Sequence, residues 1–456
     1  MAQLRFLNRK REKDRLLAFM RKKEASLAVV YGRRRCGKSR LLQEVISKND
    51  MYFLCDQSEA ALQIKQFSDE VSVFIPGFNE AEYPSWNALL SALFRQLPKN
   101  RTIVIDEFPY MVHSTPALPS ILQKFIDQGL THNLIICGSS QKMMQGMLLD
   151  SKAPLYGRAT EILKIQTLPA GWCKKALELN SISSIEAYSI WGGVPRYWEL
   201  AHTFKNSSDA VKNLAFDRNG VLHNEPRGLL LDDMRSAVQP HSLLSLIANG
   251  CHRLSEIAGR VGKPAANLSR PLENLIELGY VKRELPWGES TRSTKRSLYK
   301  INDPYIQFWY RFIQPNRSLL ERDLVEEVYR ECTKHFPHHY GEVWESLARE
   351  STARLKLYNT AWKLGSRWWG TGLDKKKMKI DIVAESFDGK QLLLGEAKWE
   401  KNINFKAVHS KLERCRENIP FGKGKKIHLA IWAPQRKSEM KSTYIIDAEQ
   451  LLASLV

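Results

Sequence analysis

Apolar and polar positions fall into two kinds of block along the first third of the chain. Short unbroken apolar runs, rich in β-branched residues, stand at 27–31 (LAVVY), at 103–105 and inside NLIICGSS (133–140). They are too short for helices and apolar on both faces, which predicts buried parallel strands. Leu41, Leu42, Val45 and Ile46 follow the first run at the spacing of one helix face. Strand then helix, repeated, predicts an α/β core over residues 1–165.

The pattern then changes. TLPAGWCKKALELN and WGGVPRYWELA predict helices over 166–240, interrupted at Gly192, Gly193 and Pro195, with Trp191, Tyr197 and Trp198 as core aromatics. HSLLSLIANG, LSEIAGRVG and 267–278 predict three helices closed by Gly250, Gly262 and Gly279. YVKRELP and RSLYKIND then predict two strands, giving a winged helix-turn-helix over 241–300. A helical junction at 301–330 carries Tyr305, Phe308, Trp309, Tyr310 and Phe312 at core spacing. A second α/β domain is expected over 331–456: the amphipathic helix GEVWESLARE, then three strands with a hairpin turn at Asp388-Gly389.

Charge adds a partner class. The 456 residues carry 69 Lys and Arg against 49 Asp and Glu, a net charge of +20, which points to a polyanion and first to nucleic acid. The alternative is a solvated basic face. No apolar stretch is long enough to span a bilayer, and the charged start, MAQLRFLNRKREKDR, has no signal-like run. Seven scattered Cys, none in C-x-x-C, argue against disulfides and a Cys-based zinc site. A cytoplasmic chain with reduced thiols and no membrane segment is expected. His335, His338 and His339 lie beside Pro337 without further ligands at zinc spacing.

Between the first strand and its helix lies G-x-x-x-x-G-K-S: Gly32, Arg33, Arg34, Arg35, Cys36, Gly37, Lys38 and Ser39. This spacing in a strand–loop–helix setting is a phosphate-binding loop. Glycines let backbone N–H groups converge on phosphate oxygens. Lys38 is expected at the β- and γ-phosphates and Ser39 at Mg²⁺. Asp106 and Glu107 end the strand at 103–105; the first suits the Mg²⁺ shell, the second the attacking water. Ser139, at the end of NLIICGSS, is a candidate γ-phosphate sensor or a plain strand-end turn. ATP and Mg²⁺ are the expected cofactors.

Taken together, FLNRKREKDRLLAFM, GRRRCGKS, IVIDEF, ICGSS and PLYGRATEI resemble the archaeal-type AAA-superfamily ATPases of prokaryotes, related to the STAND NTPases. The resemblance implies a P-loop NTPase parallel sheet, a helical lid, and a role for Arg158 in neutralising γ-phosphate charge; a surface ion pair is the alternative. Homo-oligomeric ring assembly is an expectation at the same level, with monomers or dimers equally compatible.

Two distal features bear on DNA. Residues 251–300 hold ten Lys and Arg against five Glu, with Asn267, Ser269 and Arg270 near the start of the third helix and GESTRSTKR as the wing loop. Such a module also serves as a protein–protein surface. In the last domain, Asp381 in KIDIVA and Glu396 with Lys398 in GEAKW match the PD-(D/E)xK nuclease arrangement. Glu396 and Lys398 are two apart and so share a strand face. Two carboxylates and the Ala397 carbonyl suit Mg²⁺, and Lys398 suits orienting a water. Glu345, or second Glu342, is the candidate that completes the site. The short motif also fits at Asp374, Asp388 and Glu439. An edge ion pair and an inactive nuclease fold that only binds DNA stay open as alternatives.

Overall fold

The computed structural model describes every residue except 1–3, 5, 23, 100, 235, 291–295, 437–439 and 441. The five strands of the first sheet are β1 (Leu27–Tyr31), β2 (Met51–Leu54), β3 (Thr102–Asp106), β4 (Asn133–Gly138) and β5 (Ala159–Lys164). All pair parallel, in the order β2-β3-β4-β1-β5. Every residue of β1, β3 and β4 is buried, as central parallel strands covered on both faces must be. One face packs Val29, Ile103 and Ile136 with Phe67 and Trp86. The order reverses beside β1, so the carboxyl ends of β1, β3 and β4 open together at a topological switch point.

Residues 8–167 with 231–235 make one compact unit, and 168–230 with 236–456 the bulk of a second. The segments read from the sequence as winged helix, junction and last domain fall within the second unit, whereas the lid, 166–240, is divided: 166–167 and 231–235 belong to the first unit and the rest to the second. Helices Val238–Ala248, Leu254–Val261 and Ala266–Glu277 are followed by the antiparallel strands β6 (Val281–Glu284) and β7 (Leu298–Ile301). Leu268, Leu272 and Leu275 are buried, whereas Ile276, expected beside them, is only half-buried. Trp191, Tyr197, Trp198, Tyr305, Phe308 and Trp309 are all buried, as core aromatics should be. His339 is buried too, its Nε2 2.7 Å from the Ser189 carbonyl.

The second unit also holds a mixed sheet: β8 (Ser366–Thr371), β9 (Lys377–Glu385), β10 (Gln391–Ala397), β11 (Lys426–Trp432) and β12 (Thr443–Ile446). Its order is β12-β11-β10-β9-β8, antiparallel from β8 to β10 and parallel from β10 to β12. Helix Phe336–Ser351 covers one face through Trp344 and Leu347. Helix Phe405–Asn418 covers the other through Val408 and Leu412. Strand alternation puts Asp381, Val383, Leu394 and Glu396 on that second face.

Candidate functional site

The phosphate loop is built where β1 hands the chain over at Gly32. A Cβ there would stand 2.4 Å from the Ile165 carbonyl oxygen. At Gly37 nothing lies within 4 Å, but φ is +86°, so the backbone conformation alone demands glycine. Arg35 between them holds φ 65°, a left-handed residue of the kind that clusters at ligand-binding loops. Lys38 is buried, and its Nζ donates to the Arg33 carbonyl at 3.2 Å. The ammonium thus folds back over the loop. Arg34 pairs with Asp232 at 2.9 Å.

Asp106 is fully buried at the end of β3. Its Oδ2 accepts from the Tyr52 hydroxyl at 2.7 Å and its Oδ1 from the Glu107 N–H at 2.9 Å. Burial, then the Asp106 charge, push the Tyr52 hydroxyl well above its ordinary pKa, with Ser39 acting in the opposite direction. Tyr52 therefore holds the Asp106 carboxylate from β2. It stands in the short run MYFL, where only its polar tip among apolar neighbours could have flagged it.

Glu107 holds the left-handed φ of 53°. Its Oε2 accepts from the Ser139 hydroxyl at 2.7 Å and the Ser139 N–H at 3.2 Å. A cavity of about 600 Å³ opens beside them, lined also by Ser140, His113 and Asp232. Cys55 and Cys137 next to this site are buried, and burial first, then the Asp106 charge, push both thiols up, away from reactive thiolate.

Arg158 lies in a two-pronged pair with Asp127, at 2.7 and 2.9 Å. The hydrogen bonds from Arg158 hold the Asp127 carboxyl below its usual range. This is the ion pair raised as the alternative from the sequence; contact with a phosphate requires it to open. The sequence reading did not single out Arg9. It is buried with φ 70°, and its guanidinium donates to the carbonyls of Cys36 (3.3 Å) and Gln166 and pairs with Glu12. It fastens the back of the phosphate loop to the segment after β5.

In the second unit, Asp381 and Glu396 are 4% and 1% exposed on adjacent strands. Asp381 Oδ2 lies 3.5 Å from the Ala397 N–H, and Lys398 Nζ 3.1 Å from Glu396 Oε1. The three residues converge. Lys411, from helix Phe405–Asn418, also donates to Glu396, and Lys379 pairs with Asp381 at 3.0 Å. Burial raises both carboxyls. Lys379 and its neighbours overcome this at Asp381, which titrates below its usual range, whereas the charge of Asp381 adds to burial and holds Glu396 above.

Glu345 does not join this pair as expected. Its carboxylate bonds Arg367 and faces Arg349 and Lys379 at 3.7 and 3.9 Å. Among the described residues no three His, Cys, Asp or Glu side chains gather closely enough to hold a metal. Glu342 is engaged by Arg311 at 2.9 Å. The two carboxylates still fit a cation, because Glu396 Oε2 is buried with no hydrogen-bond partner, a vacancy that costs roughly 1–3 kcal/mol unless filled.

The basic face expected over 251–300 is divided. Arg253, Arg260, Lys263, Asn267, Ser269 and Arg270 are exposed. Lys282 and Lys300 turn inward, to Ser346 and His252. Past β6, the Trp287 ring packs on Phe421, and its backbone N–H donates to the Arg367 carbonyl at 2.9 Å. Residues 291–295 of the wing loop, with Arg292 and Lys295, lie outside the described residues, as does the Glu439–Lys441 motif.

No helix among the described residues is long and apolar enough to cross a membrane. Residues 6–201 match the model of an ATPase domain predominantly from Archaea, and 309–411 that of archaeal and bacterial proteins of unknown function. An uncharacterised protein of Methanocaldococcus jannaschii is 29% identical over 97% of this chain and 99% of its own. A Walker-type ATPase of Pyrococcus abyssi superposes with a TM-score of 0.53 at 19% identity, over 68% of this chain and 97% of that one. The Orc2 protein of Aeropyrum pernix superposes with a TM-score of 0.42 at 14% identity, over 73% of this chain and 96% of that one. With residues 32–39, 106 and 107 lying inside the first match, the chain carries a P-loop ATPase domain of the predominantly archaeal type and, towards its C-terminus, the domain of that second family.

Proposed function

We propose that the protein couples ATP binding and hydrolysis to DNA binding and to Mg²⁺-dependent cleavage of DNA. In the ATPase unit, the loop from Gly32 to Ser39 holds the triphosphate, with Lys38 turning from the Arg33 carbonyl to the phosphates. Glu107, oriented by Ser139, takes a proton from the attacking water. Mg²⁺ held through Ser39 and Asp106 would neutralise phosphate charge. Arg158, released from Asp127, is the further cation for the γ-phosphate.

DNA binds at the exposed face made by Arg253, Arg260, Lys263, Asn267, Ser269 and Arg270, with the helices of 241–300 and β6–β7 forming the winged helix. The cleavage reading rests on one observation, the convergence of Asp381, Glu396 and Lys398 at a buried carboxylate with an unfilled oxygen. A Mg²⁺ ion there would polarise the phosphodiester. Lys398 orients the attacking water, and Lys411 shares the Glu396 charge.

A second reading has its own support: Lys379, Lys398 and Lys411 already balance the two carboxylates, and no third acid among the described residues joins them. In that reading the domain cuts nothing and the protein is an ATP-switched binding or regulatory protein. The test incubates plasmid and single-stranded DNA with Mg²⁺, with and without ATP. Cleavage by the wild type that disappears in Asp381→Ala and Lys398→Ala supports the nuclease. DNA binding that survives those changes but responds to Lys38→Ala, with no cleavage by the wild type, supports the switch.

A further inference from the structure

Strand β10, which carries Glu396, ends at Ala397, and Lys398 follows it directly. Residues 399–403 continue directly into the wall of a cavity of about 740 Å³, within the usual range of small-ligand sites. It lies past the carboxyl ends of the parallel strands β10 and β11, where ligands of α/β sheets gather. Trp399 lines it and is backed by the buried Trp344, with ring centroids 5.2 Å apart. A ring already held in this way loses little freedom when a second ring stacks on it.

Glu186 and Tyr340 supply two of its polar groups, with Lys401 in the same lining and its charge acting on Glu186. Both line the cavity, and neither side chain has a hydrogen bond to another described residue. Burial raises the Glu186 carboxyl, and burial with the Glu186 charge raises the Tyr340 hydroxyl, so the phenol stays a donor. An acceptor pair beside a donor, next to an indole face, is a demanding combination. The Watson–Crick edge of guanine offers N1–H and N2–H donors beside the O6 acceptor, which matches it group for group. Adenine, cytosine and thymine each lack the paired donors.

We propose that this cavity takes a guanine base, unstacked from a nucleic-acid strand whose phosphodiester lies against Asp381, Glu396 and Lys398. The base stacks on Trp399, its N1–H and N2–H donate to Glu186, and its O6 accepts from Tyr340. The inference rests on the nucleic-acid reading given above and adds a sequence preference to it.

The test uses the full chain in buffer with EDTA, so that nothing is cut, and fluorescein-labelled single strands of dT carrying one central dG, dI, dA or dC. Polarisation reads affinity. The dG strand is expected to bind about tenfold tighter than all-dT, since one stacked base has an effect of this size. The dI strand, which lacks the N2 amino group, loses most of that gain. Glu186→Gln, nearly isosteric, erases the dG preference while dT binding persists. Trp399→Leu weakens the dG strand about five- to tenfold, and Trp399→Phe restores it. Binding with no dG preference, or a preference untouched by Glu186→Gln and Trp399→Leu, overturns the guanine pocket alone. Failure of every strand to bind overturns the nucleic-acid reading and the pocket with it.

Discussion

Ser139 holds Glu107 in place: its hydroxyl donates to Glu107 Oε2 at 2.7 Å and its N–H at 3.2 Å, joining the end of β4 to the end of β3. The carboxylate is thus oriented by two donors while its backbone sits in the left-handed region.

Glu107→Gln should slow ATP turnover by about 10²-fold or more, the usual contribution of a positioned base, with ATP affinity kept. Ser139→Ala should slow it about tenfold, because the base survives but loses its anchor. Phosphate-release kinetics separate the two effects. A rise in KM at unchanged kcat for Ser139→Ala would place Ser139 in binding instead.

Arg9→Ala should reduce both stability and nucleotide affinity. The change leaves the Cys36 and Gln166 carbonyls without this donor behind the phosphate loop. A loss of roughly 1–3 kcal/mol in urea unfolding is expected. The Tm increase given by Mg²⁺-ATP should shrink with it, as linkage requires. Unchanged ATP affinity would separate Arg9 from the loop's function.

Mg²⁺ alone should raise the Tm of a Lys38→Ala protein, whose phosphate loop is disabled, if Asp381 and Glu396 take the ion. Adding Asp381→Asn should remove that shift. Lys411→Ala should destabilise the metal-free protein by roughly 1–3 kcal/mol, since a buried carboxylate loses a cation. A thermal-shift series with and without Mg²⁺ decides all three, and an equal Mg²⁺ shift in the Asp381→Asn protein excludes this site.

Stability should fall between about pH 6.5 and 4. Burial, then the charge of Lys300, holds the His252 imidazole down to about 4; burial, then the charge of Arg311, does the same for His339. Both are neutral in the folded chain while the unfolded chain takes up protons below its own pKa. Their contribution is therefore full above that pKa and is lost as pH falls towards the folded value. Each accounts for at most roughly 3 kcal/mol. Urea midpoints across this range should slope less in His252→Asn, and a slope unchanged there would assign the acid sensitivity to other groups.

Residues close together in the chain carried most of the local chemistry in readable form. The apolar runs gave the strands at 27–31, 103–105 and 133–138 because a strand covered on both faces is apolar nearly throughout. G-x-x-x-x-G-K-S gave the phosphate loop because its backbone conformation excludes side chains at Gly32 and Gly37. Glu396 and Lys398 could be placed on one face because strand alternation has a period of two.

What remained hidden depends on approaches across long sequence separations. Arg9 meets Gln166, Tyr52 meets Asp106, Lys411 meets Glu396, and Arg367 takes Glu345 out of the carboxylate site. A charged residue looks the same in sequence whether it faces water or neutralises a buried group. Only packing fixes which charges are desolvated together, and in a buried setting that decides which partner each one takes.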